Sequence, residues 1–467
     1  MYDIAIIGSG PGGYRAAILA ALRKQKVAII EKHHWGGCCL NRGCVPKKAW
    51  HHSANLLLKN NHLQDIGIKG ALSPDFTSAW QHQHKTVLTI RGNYLDYMKR
   101  LGIQIFEGHG QVTETNTINI IGQNSEVKQS LDYKNLILAT GSSAFIPELF
   151  NIKSKRILTT DDLFETQPPQ GDNIAIIGGG VIAVEFAFIL HQLGKSIQWF
   201  ARSDILNRSS FSPQAIKLLK QKLADMTIQC QNNFPSIIRS NENNITLSFD
   251  EGDEVQVDWL LLATGRKPNS ADLGLDIAGI DCDQEGFIKT DEYLQTSKAG
   301  VYAIGDVRSR QMTANQAIAD ADIAIENIIN HDTRQFDESW VPQSIYSRLE
   351  LSRVGMDEDT AEDEGYEPAI GFAAFESSPA ALGQHDTEGF IRLISDMDSG
   401  KLLGGEIIGH NAGEMIHLLS GAPDKENALQ EFAKLNVNHP SRSEELQNAT
   451  ETLASKWGLL DIIYPKK

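Results

Sequence analysis

Cysteine is scarce in this chain, with five in 467 residues, and three of them, Cys38, Cys39 and Cys44, fall within one short stretch. That number and clustering exclude a small secreted fold held together by disulfides. Long hydrophobic runs are missing too. None reaches the roughly 18–20 apolar residues that a bilayer crossing requires, so no membrane span is expected. Basic charge is in deficit, with 43 Lys and Arg against 59 Asp and Glu and a formal net charge of −16. Such a chain, with no long Lys/Arg run, is a poor partner for phosphate backbones or anionic membrane, and neither nucleic acid nor membrane is expected as a partner. The N-terminus lacks a basic leader and cleavage site and runs straight into the strand-like Tyr2–Ile7, from which a cytoplasmic location is expected. What is present is ordinary for a globular protein, 41% hydrophobic and 22% charged, at a length that suits two to four domains.

The chain opens as strand, turn, helix, strand. Asp3–Ile7 is a short apolar strand, Gly8-Ser9-Gly10-Pro11-Gly12-Gly13 a turn, Tyr14–Leu22 a helical stretch, and Val27–Ile30 a second strand ending at Glu31. Glycines at 8, 10 and 13 suit a tight turn, close approach of backbone to a pyrophosphate, and packing of helix on strand. The helix N-terminus supplies amide donors to the phosphates. Glu31 stands where a carboxylate accepts hydrogen bonds from a ribose. Two flanking strands and a closing acid favour dinucleotide binding over a merely tight structural turn.

The pattern recurs downstream. Asn173–Ile177 leads into Gly178-Gly179-Gly180-Val181-Ile182-Ala183, a helix follows to about Leu193, and a strand runs from Ser196 to Phe200. Here Ala183 holds the third small position, and the strand ends in Ala201-Arg202 with no acid. Two fingerprints mean two dinucleotides or a duplicated domain, and the first reading is adopted.

Between them lies Gly36-Gly37-Cys38-Cys39-Leu40-Asn41-Arg42-Gly43-Cys44-Val45-Pro46-Lys47-Lys48. On a regular helix the five positions from Cys39 to Cys44 rise about 7.5 Å, more than a disulfide tolerates. A bridge therefore needs an irregular helix start, which Gly43 and Pro46 can provide. A helix N-terminus also favours the thiolate. Zinc would need a second cysteine or histidine pair at ligand spacing; Cys230 and Cys282 do not form one, and His51-His52 is awkward. No metal is expected, and a redox pair is preferred to inert buried cysteines.

These thirteen residues resemble the active-site segment of the class I pyridine nucleotide-disulfide oxidoreductases, the family of dihydrolipoyl dehydrogenase, glutathione reductase and mercuric reductase. The resemblance extends to Ala139-Thr140-Gly141, to Ala263-Thr264-Gly265-Arg266-Lys267-Pro268-Asn269 and to Tyr302-Ala303-Ile304-Gly305-Asp306. It implies an α/β fold with two Rossmann-like FAD/NAD(P)-binding domains and a C-terminal α+β dimerisation domain. An FAD domain would take residues 1–145 and 270–338, a nucleotide domain 146–269, and the dimerisation domain 339–467. It implies FAD and a nicotinamide nucleotide as cofactors, bound through Gly8, Gly10, Gly13, Glu31, Gly37, Lys48, Thr140, Gly141, Gly178, Gly180, Gly265 and Asp306. Cys39 would meet substrate and Cys44 the flavin, Lys48 would stand near flavin N5, and Glu185 would be its ion-pair partner.

Near the C-terminus, Asn438-His439-Pro440-Ser441-Arg442-Ser443-Glu444-Glu445 is similar to the family's His-Pro-Thr-x-x-Glu segment. The resemblance makes His439 the acid/base for the substrate thiol and Glu444 the residue that orients it. Thiol–disulfide exchange needs a proton donor or acceptor near neutral pH, which histidine supplies. In this family the dyad comes from the partner subunit, so a homodimer is implied.

Other positions bear on substrate. Val45-Pro46-Lys47-Lys48 reads like glutathione reductases, and Tyr94 matches a tyrosine of the glutathione cleft or else packs on a helix. Against this, Pro11-Gly12-Gly13-Tyr14 is the lipoyl-type turn, and the adjacent arginines that grip glutathione are Ile18 and Leu19 here. The tail Tyr464-Pro465-Lys466-Lys467 carries no further cysteine pair, which disfavours thioredoxin-type and mercuric reductases. The intact cysteines argue against a transhydrogenase or a non-catalytic sensor. The expectation is a dihydrolipoyl-dehydrogenase-like enzyme acting on a dithiol or disulfide, with glutathione reductase or a reductase of another small disulfide as the alternative. From Ala201, Arg202 and Arg208 a preference for NADP(H) over NAD(H) is expected, because a 2′-phosphate is repelled by the usual acid and gripped by guanidinium.

Overall fold

A computed structural model describes residues 1–466 apart from Gln123, Asp332, Thr333, Phe336 and Pro423. Lys467, the last residue of the cysteine-free tail, lies outside the described residues. The chain falls into two compact units. The first comprises Met1–Trp50, Asp75–Gly178 and Phe234–Asp337, and the second His51–Pro74, Gly179–Asn233 and Glu338–Lys467.

In the first unit, strands β1 (Tyr2–Ile7) and β2 (Val27–Glu31) pair in parallel, with Ile4 opposite Val27 and Ile7 opposite Ile30. Gln104–Glu107 extends the sheet in parallel beyond β2, and Val127–Leu138 lies on the other side of β1. Side chains alternate across a strand. Ile4, Ile6 and Ile29 therefore face one core with helix α1 (Pro11–Leu22) and the helix Ala314–Asn330. Ala5, Ile7, Ala28 and Ile30 face a second core with Leu136, Leu138 and Val301. A strand buried on both faces reads as a continuous apolar run, which is why Ile4–Ile7 shows no polar alternation.

Helix α1 begins at Pro11, three residues earlier than its composition suggested. Proline suits a first helical position, where its missing N–H has no partner to lose and its φ is already helical. The same unit carries strand β3 (Asn173–Ile177), which lies parallel to Trp259–Leu262; the latter also pairs with Ile157–Thr159.

In the second unit, β4 (Ser196–Phe200) pairs in parallel with Cys230–Gln231. The C-terminal part is a five-stranded antiparallel sheet in the order Gln343–Tyr346, Glu350–Gly355, Leu402–Ile408, Phe390–Asp396, Pro368–Ala374. The helix Glu444–Lys456 covers one face through Leu446, Ala449 and Leu453, packing with Ala369, Ile391 and Leu393. The α+β character expected of this region is what the structure has. Among the described residues no helix is long and apolar enough to cross a membrane.

Candidate active site

The first fingerprint is shaped by what a side chain would strike. Gly8 has φ +103, and a Cβ there would collide with the Ala139 carbonyl; one on Gly13 would collide with the Gly8 carbonyl, and one on Gly37 with Gly10. These residues are glycine because backbone passes backbone. Gly10 and Gly141 differ, having no protein atom within 4 Å of a built Cβ. Open glycine beside a helix N-terminus is what a pyrophosphate needs for close approach. Glu31 ends β2 almost buried; its Oε2 accepts from the Ser9 amide (2.9 Å) and hydroxyl (2.7 Å), and its Oε1 from the His33 amide (2.9 Å). A carboxylate has about four acceptor positions, so one remains on Oε1 for a ribose hydroxyl. The residues present thus fit FAD.

The second fingerprint repeats this geometry. Gly178 has φ +136 and backs onto the Ala263 carbonyl as Gly8 does onto Ala139, while Gly180 and Gly265 are open. Gly180 caps helix α4 (Val181–Gln192), whose Ala183 is fully buried. Beyond β4, Arg202 and Arg208 are both exposed. The acid in that loop is Asp204, which the sequence reading did not weigh. It is ion-paired with Lys220 and accepts from the Ile205 amide (3.1 Å), and the Lys220 bond holds its carboxyl below the usual range.

Cys39 and Cys44 are bridged, with Cα atoms 4.7 Å apart. Cys39 lies in helix α2 (Gly37–Arg42) and Cys44 begins helix α3 (Cys44–Leu58). The chain breaks between them at Gly43, with φ −136° and ψ −107°. The irregularity that a bridge demands is therefore at Gly43, while Pro46, proposed as a second source, sits within the first turn of α3, where proline is tolerated. Asn41 staples α2 from inside, donating to the Gly37 (2.7 Å) and Trp35 (3.0 Å) carbonyls and accepting from Arg91 Nε (2.9 Å).

Asp306, expected at the flavin, accepts a hydrogen bond from Ser142 Oγ. Arg266 Nε donates to that hydroxyl (2.7 Å), and its Nη2 donates to the Ser142 carbonyl (2.7 Å) and lies 3.5 Å from Cys38 Sγ. Burial raises the Asp306 carboxyl, against the pull of Ser142 and Arg266. Burial also raises the Cys38 thiol, with Arg266 working the other way. Behind this group, the fully buried Asp320 accepts from the Gly305 amide (2.7 Å), Arg308 Nη1 (3.1 Å) and Gln316 Nε2 (2.9 Å), fixing the turn that carries Asp306. Sequence reasoning gave no role to Ser142, Arg266 or Asp320. The available signals were Arg266 within the motif Ala263–Asn269 and an aspartate at 320 among the buried positions of the helix Ala314–Asn330.

In the second unit, His439 Nδ1 lies 2.7 Å from Glu444 Oε1, and Glu444 Oε2 accepts from the Ser441 amide (2.6 Å). The His439 hydrogen bond holds the Glu444 carboxyl below the usual range. The His439 side chain is 73% exposed. Glu185 is buried in α4 and accepts from the Tyr346 amide (2.9 Å). Lys48 lies half-buried in the first turns of α3, in the first unit. Thr140 Oγ1 donates to the Asn269 carbonyl (2.7 Å). His51, weighed as a zinc ligand, is buried with Nε2 3.1 Å from the Ser347 carbonyl. Tyr94 stacks on Tyr14 with ring centroids 4.0 Å apart, and Ile18 and Leu19 are both buried.

Comparison with known proteins agrees with this geometry. Residues 2–321 match the pyridine nucleotide-disulphide oxidoreductase family, and residues 341–450 match its dimerisation domain. The chain belongs to this family. It is a flavin disulfide oxidoreductase, an enzyme that uses FAD and a pyridine nucleotide, and its dimerisation domain marks a homodimer. Within the family it is similar to the dihydrolipoyl dehydrogenases of Geobacillus stearothermophilus (31% identity over 457 residues, 96% of this chain and 95% of that one) and Chlamydia trachomatis (32% over 457 residues, 95% of each). Among solved structures it resembles LpdA of Mycobacterium tuberculosis, with TM-score 0.88, 21% identity, and 97% of this chain and all of that one covered. It also resembles the HOCl-induced flavoprotein disulfide reductase RclA of Escherichia coli, with TM-score 0.82, 23% identity, and 96% and 99% covered. At those identities the two structures speak to fold alone.

Proposed function

We propose that this enzyme moves electrons between NADP(H) and a lipoyl-type dithiol through Cys39 and Cys44. The observation that carries the reading is the bridge itself, in which two helices meet at Gly43 and bring both sulfurs together beside a dinucleotide fingerprint. FAD, when bound, supplies the two-electron carrier between nicotinamide and disulfide. The rest is the work of the chain's own groups.

Two electrons and two protons convert the Cys39–Cys44 disulfide to a dithiol. Cys39 passes its proton to Nε2 of His439 and, as thiolate, attacks one sulfur of a substrate disulfide, whose other sulfur leaves as a thiolate and takes that proton from His439. Cys44 then attacks Cys39, re-forming the internal bridge and releasing the second substrate thiol. Run backwards, the same steps oxidise a dithiol. Glu444 holds the His439 ring through Nδ1, and since a carboxylate only accepts, that nitrogen carries the proton and Nε2 faces substrate. The dyad of one subunit serves the cysteines of the other. Lys48 would stand near the flavin with Glu185 as its ion-pair partner, and Asp306, Thr140 and Gly141 would help to hold FAD. The domains follow the division 1–145 with 270–338, 146–269, and 339–467.

The preference for NADP(H) rests on Ala201, where an NAD-binding unit would carry an acid, and on exposed Arg202 and Arg208. Asp204, the acid of that loop, is ion-paired with Lys220. A lipoyl-type substrate is preferred to glutathione because Ile18 and Leu19 are buried and uncharged, and because Tyr94 is engaged with Tyr14. The test is anaerobic titration of the oxidised holoenzyme with NADPH, followed by turnover with lipoamide, a lipoylated carrier protein and oxidised glutathione. Reduction of the cysteine pair with lipoyl turnover supports the proposal; fast NADPH oxidation with no disulfide reduced would contradict it.

A further inference from the structure

Away from the groups used above, His62, Asp65 and His385 converge in the second unit. Lys59–His62 forms a single turn, and the Asp65 amide donates to the His62 carbonyl at 3.1 Å, so both side chains emerge on one side. His385 follows the short helix Pro379–Gly383. The Asp386 amide bonds the Ala381 carbonyl (3.0 Å) and the His385 amide the Leu382 carbonyl (3.1 Å), the paired bonds of a Schellman cap. His385 takes the left-handed position of that cap, with φ +52, where glycine costs least.

Asp65 Oδ2 lies 3.3 Å from His62 Nδ1 and 3.6 Å from His385 Nε2. All three ligand atoms fall within 4.8 Å of one another, and no other group of three His, Cys, Asp or Glu does so among the described residues. Bonds of about 2.0–2.2 Å to one ion set neighbouring ligand atoms roughly 3–3.5 Å apart, close to the two separations from Asp65. The side chains are 52%, 54% and 48% exposed, which leaves an ion a way in and room for water at its remaining positions.

We propose that His62, Asp65 and His385 bind one divalent transition-metal ion through two imidazole nitrogens and a carboxylate oxygen. Two nitrogen donors and one oxygen suit zinc, copper or nickel, whereas magnesium and calcium call for oxygen alone. The sequence reading weighed metal only at the cysteines and at His51-His52 and had no means of finding this group. His62 and Asp65 show the close spacing of a turn, but His385 is supplied by a distant helix cap. The plainer arrangement is two histidines beside one aspartate, His62 hydrogen-bonded to it and His385 paired with it by charge. Binding separates the two.

The experiment uses oxidised holoenzyme, so that the Cys39–Cys44 bridge offers no thiolate. Zinc binding by calorimetry is expected to show a site of one ion per chain. His62→Gln and His385→Asn should each weaken it at least tenfold, asparagine being chosen because it tolerates the left-handed position. The double variant should lose it, while His82→Ala/His84→Ala, on the helix Phe76–Arg100, should leave it unchanged. Copper bound to the wild type should show magnetic coupling to two imidazole nitrogens, and to one in each single variant. Flavin content and turnover without metal should match the wild type in every variant, which separates loss of the site from misfolding and from any failure of the proposed redox function. No ion bound by the wild type, or a loss below tenfold in the double variant, overturns the proposal.

Discussion

Glu444 holds His439 at Nδ1 with one carboxylate oxygen, 2.7 Å away, while its other oxygen grips the Ser441 amide of the same segment at 2.6 Å. The imidazole is thus fixed in orientation and tautomer by a group five residues along the chain. Losing a positioned acid/base typically costs about 10²–10⁴-fold. His439→Ala should slow disulfide turnover by about that much and leave flavin reduction by nicotinamide nearly untouched. Stopped-flow measurement of the two half-reactions checks this, and an equal loss in both would make His439 structural. Glu444→Gln, which keeps the shape and loses the charge, should fall between wild type and His439→Ala.

The proposed substrate preference rests on Ile18 and Leu19, which offer no charge to an anionic peptide and are buried. The ratio of kcat/KM for lipoamide over oxidised glutathione is expected to be at least about tenfold, a difference of about 1.4 kcal/mol in transition-state binding. A ratio below one would make glutathione or a related small disulfide the substrate.

Nucleotide choice is expected to follow the arginines. Arg202→Ala and Arg208→Ala should each weaken NADPH far more than NADH, since only the former carries the 2′-phosphate that a guanidinium grips. Binding constants from flavin reduction by both nucleotides decide it. Tighter binding of NADH by the wild type would show that Ala201 was misread.

The second unit has an electrostatic joint at Glu388, which lies between Lys222 and Arg348, 2.5 and 2.6 Å away. Burial works to raise its carboxyl, but the two cations outweigh that and hold it below the usual range. A depressed carboxylate contributes stability that is present above its unfolded pKa of about 4.3 and lost as pH falls through the folded value. Lys222→Gln should therefore lower the thermal midpoint at pH 7, consistent with about 1.5–3 kcal/mol for a bond to a charged group. The gap between variant and wild type should close as pH falls below about 4. A gap independent of pH would mean the effect is packing alone.

Much of this site was legible because it is local. The apolar run Ile4–Ile7, the glycine spacing after it and Glu31 at the end of the next strand all lie within one strand–helix–strand unit, and periodicity reports such units well. The need for a break between Cys39 and Cys44 followed from helix rise alone. What was not legible joins distant parts of the chain. Ser142 and Arg266 reach Asp306 only once the sheet has closed, and Asp204 finds Lys220 across a helix that sequence spacing does not orient. Tyr94 shows the same limit from the other side, since its motif allowed a substrate cleft and its neighbour Tyr14 is visible only in the fold.

The central claim is that electrons pass through the Cys39–Cys44 pair, with Cys44 beside the flavin and Cys39 toward substrate. Its most direct test is the anaerobic spectrum of the two-electron-reduced enzyme in wild type, Cys39→Ser and Cys44→Ser, recorded alongside lipoamide turnover. The wild type should show the long-wavelength absorption of a thiolate against the flavin. Cys39→Ser should retain a thiolate at that place and Cys44→Ser should lose the band, with disulfide turnover abolished in both. Full turnover with lipoamide or glutathione disulfide in either variant would contradict the account.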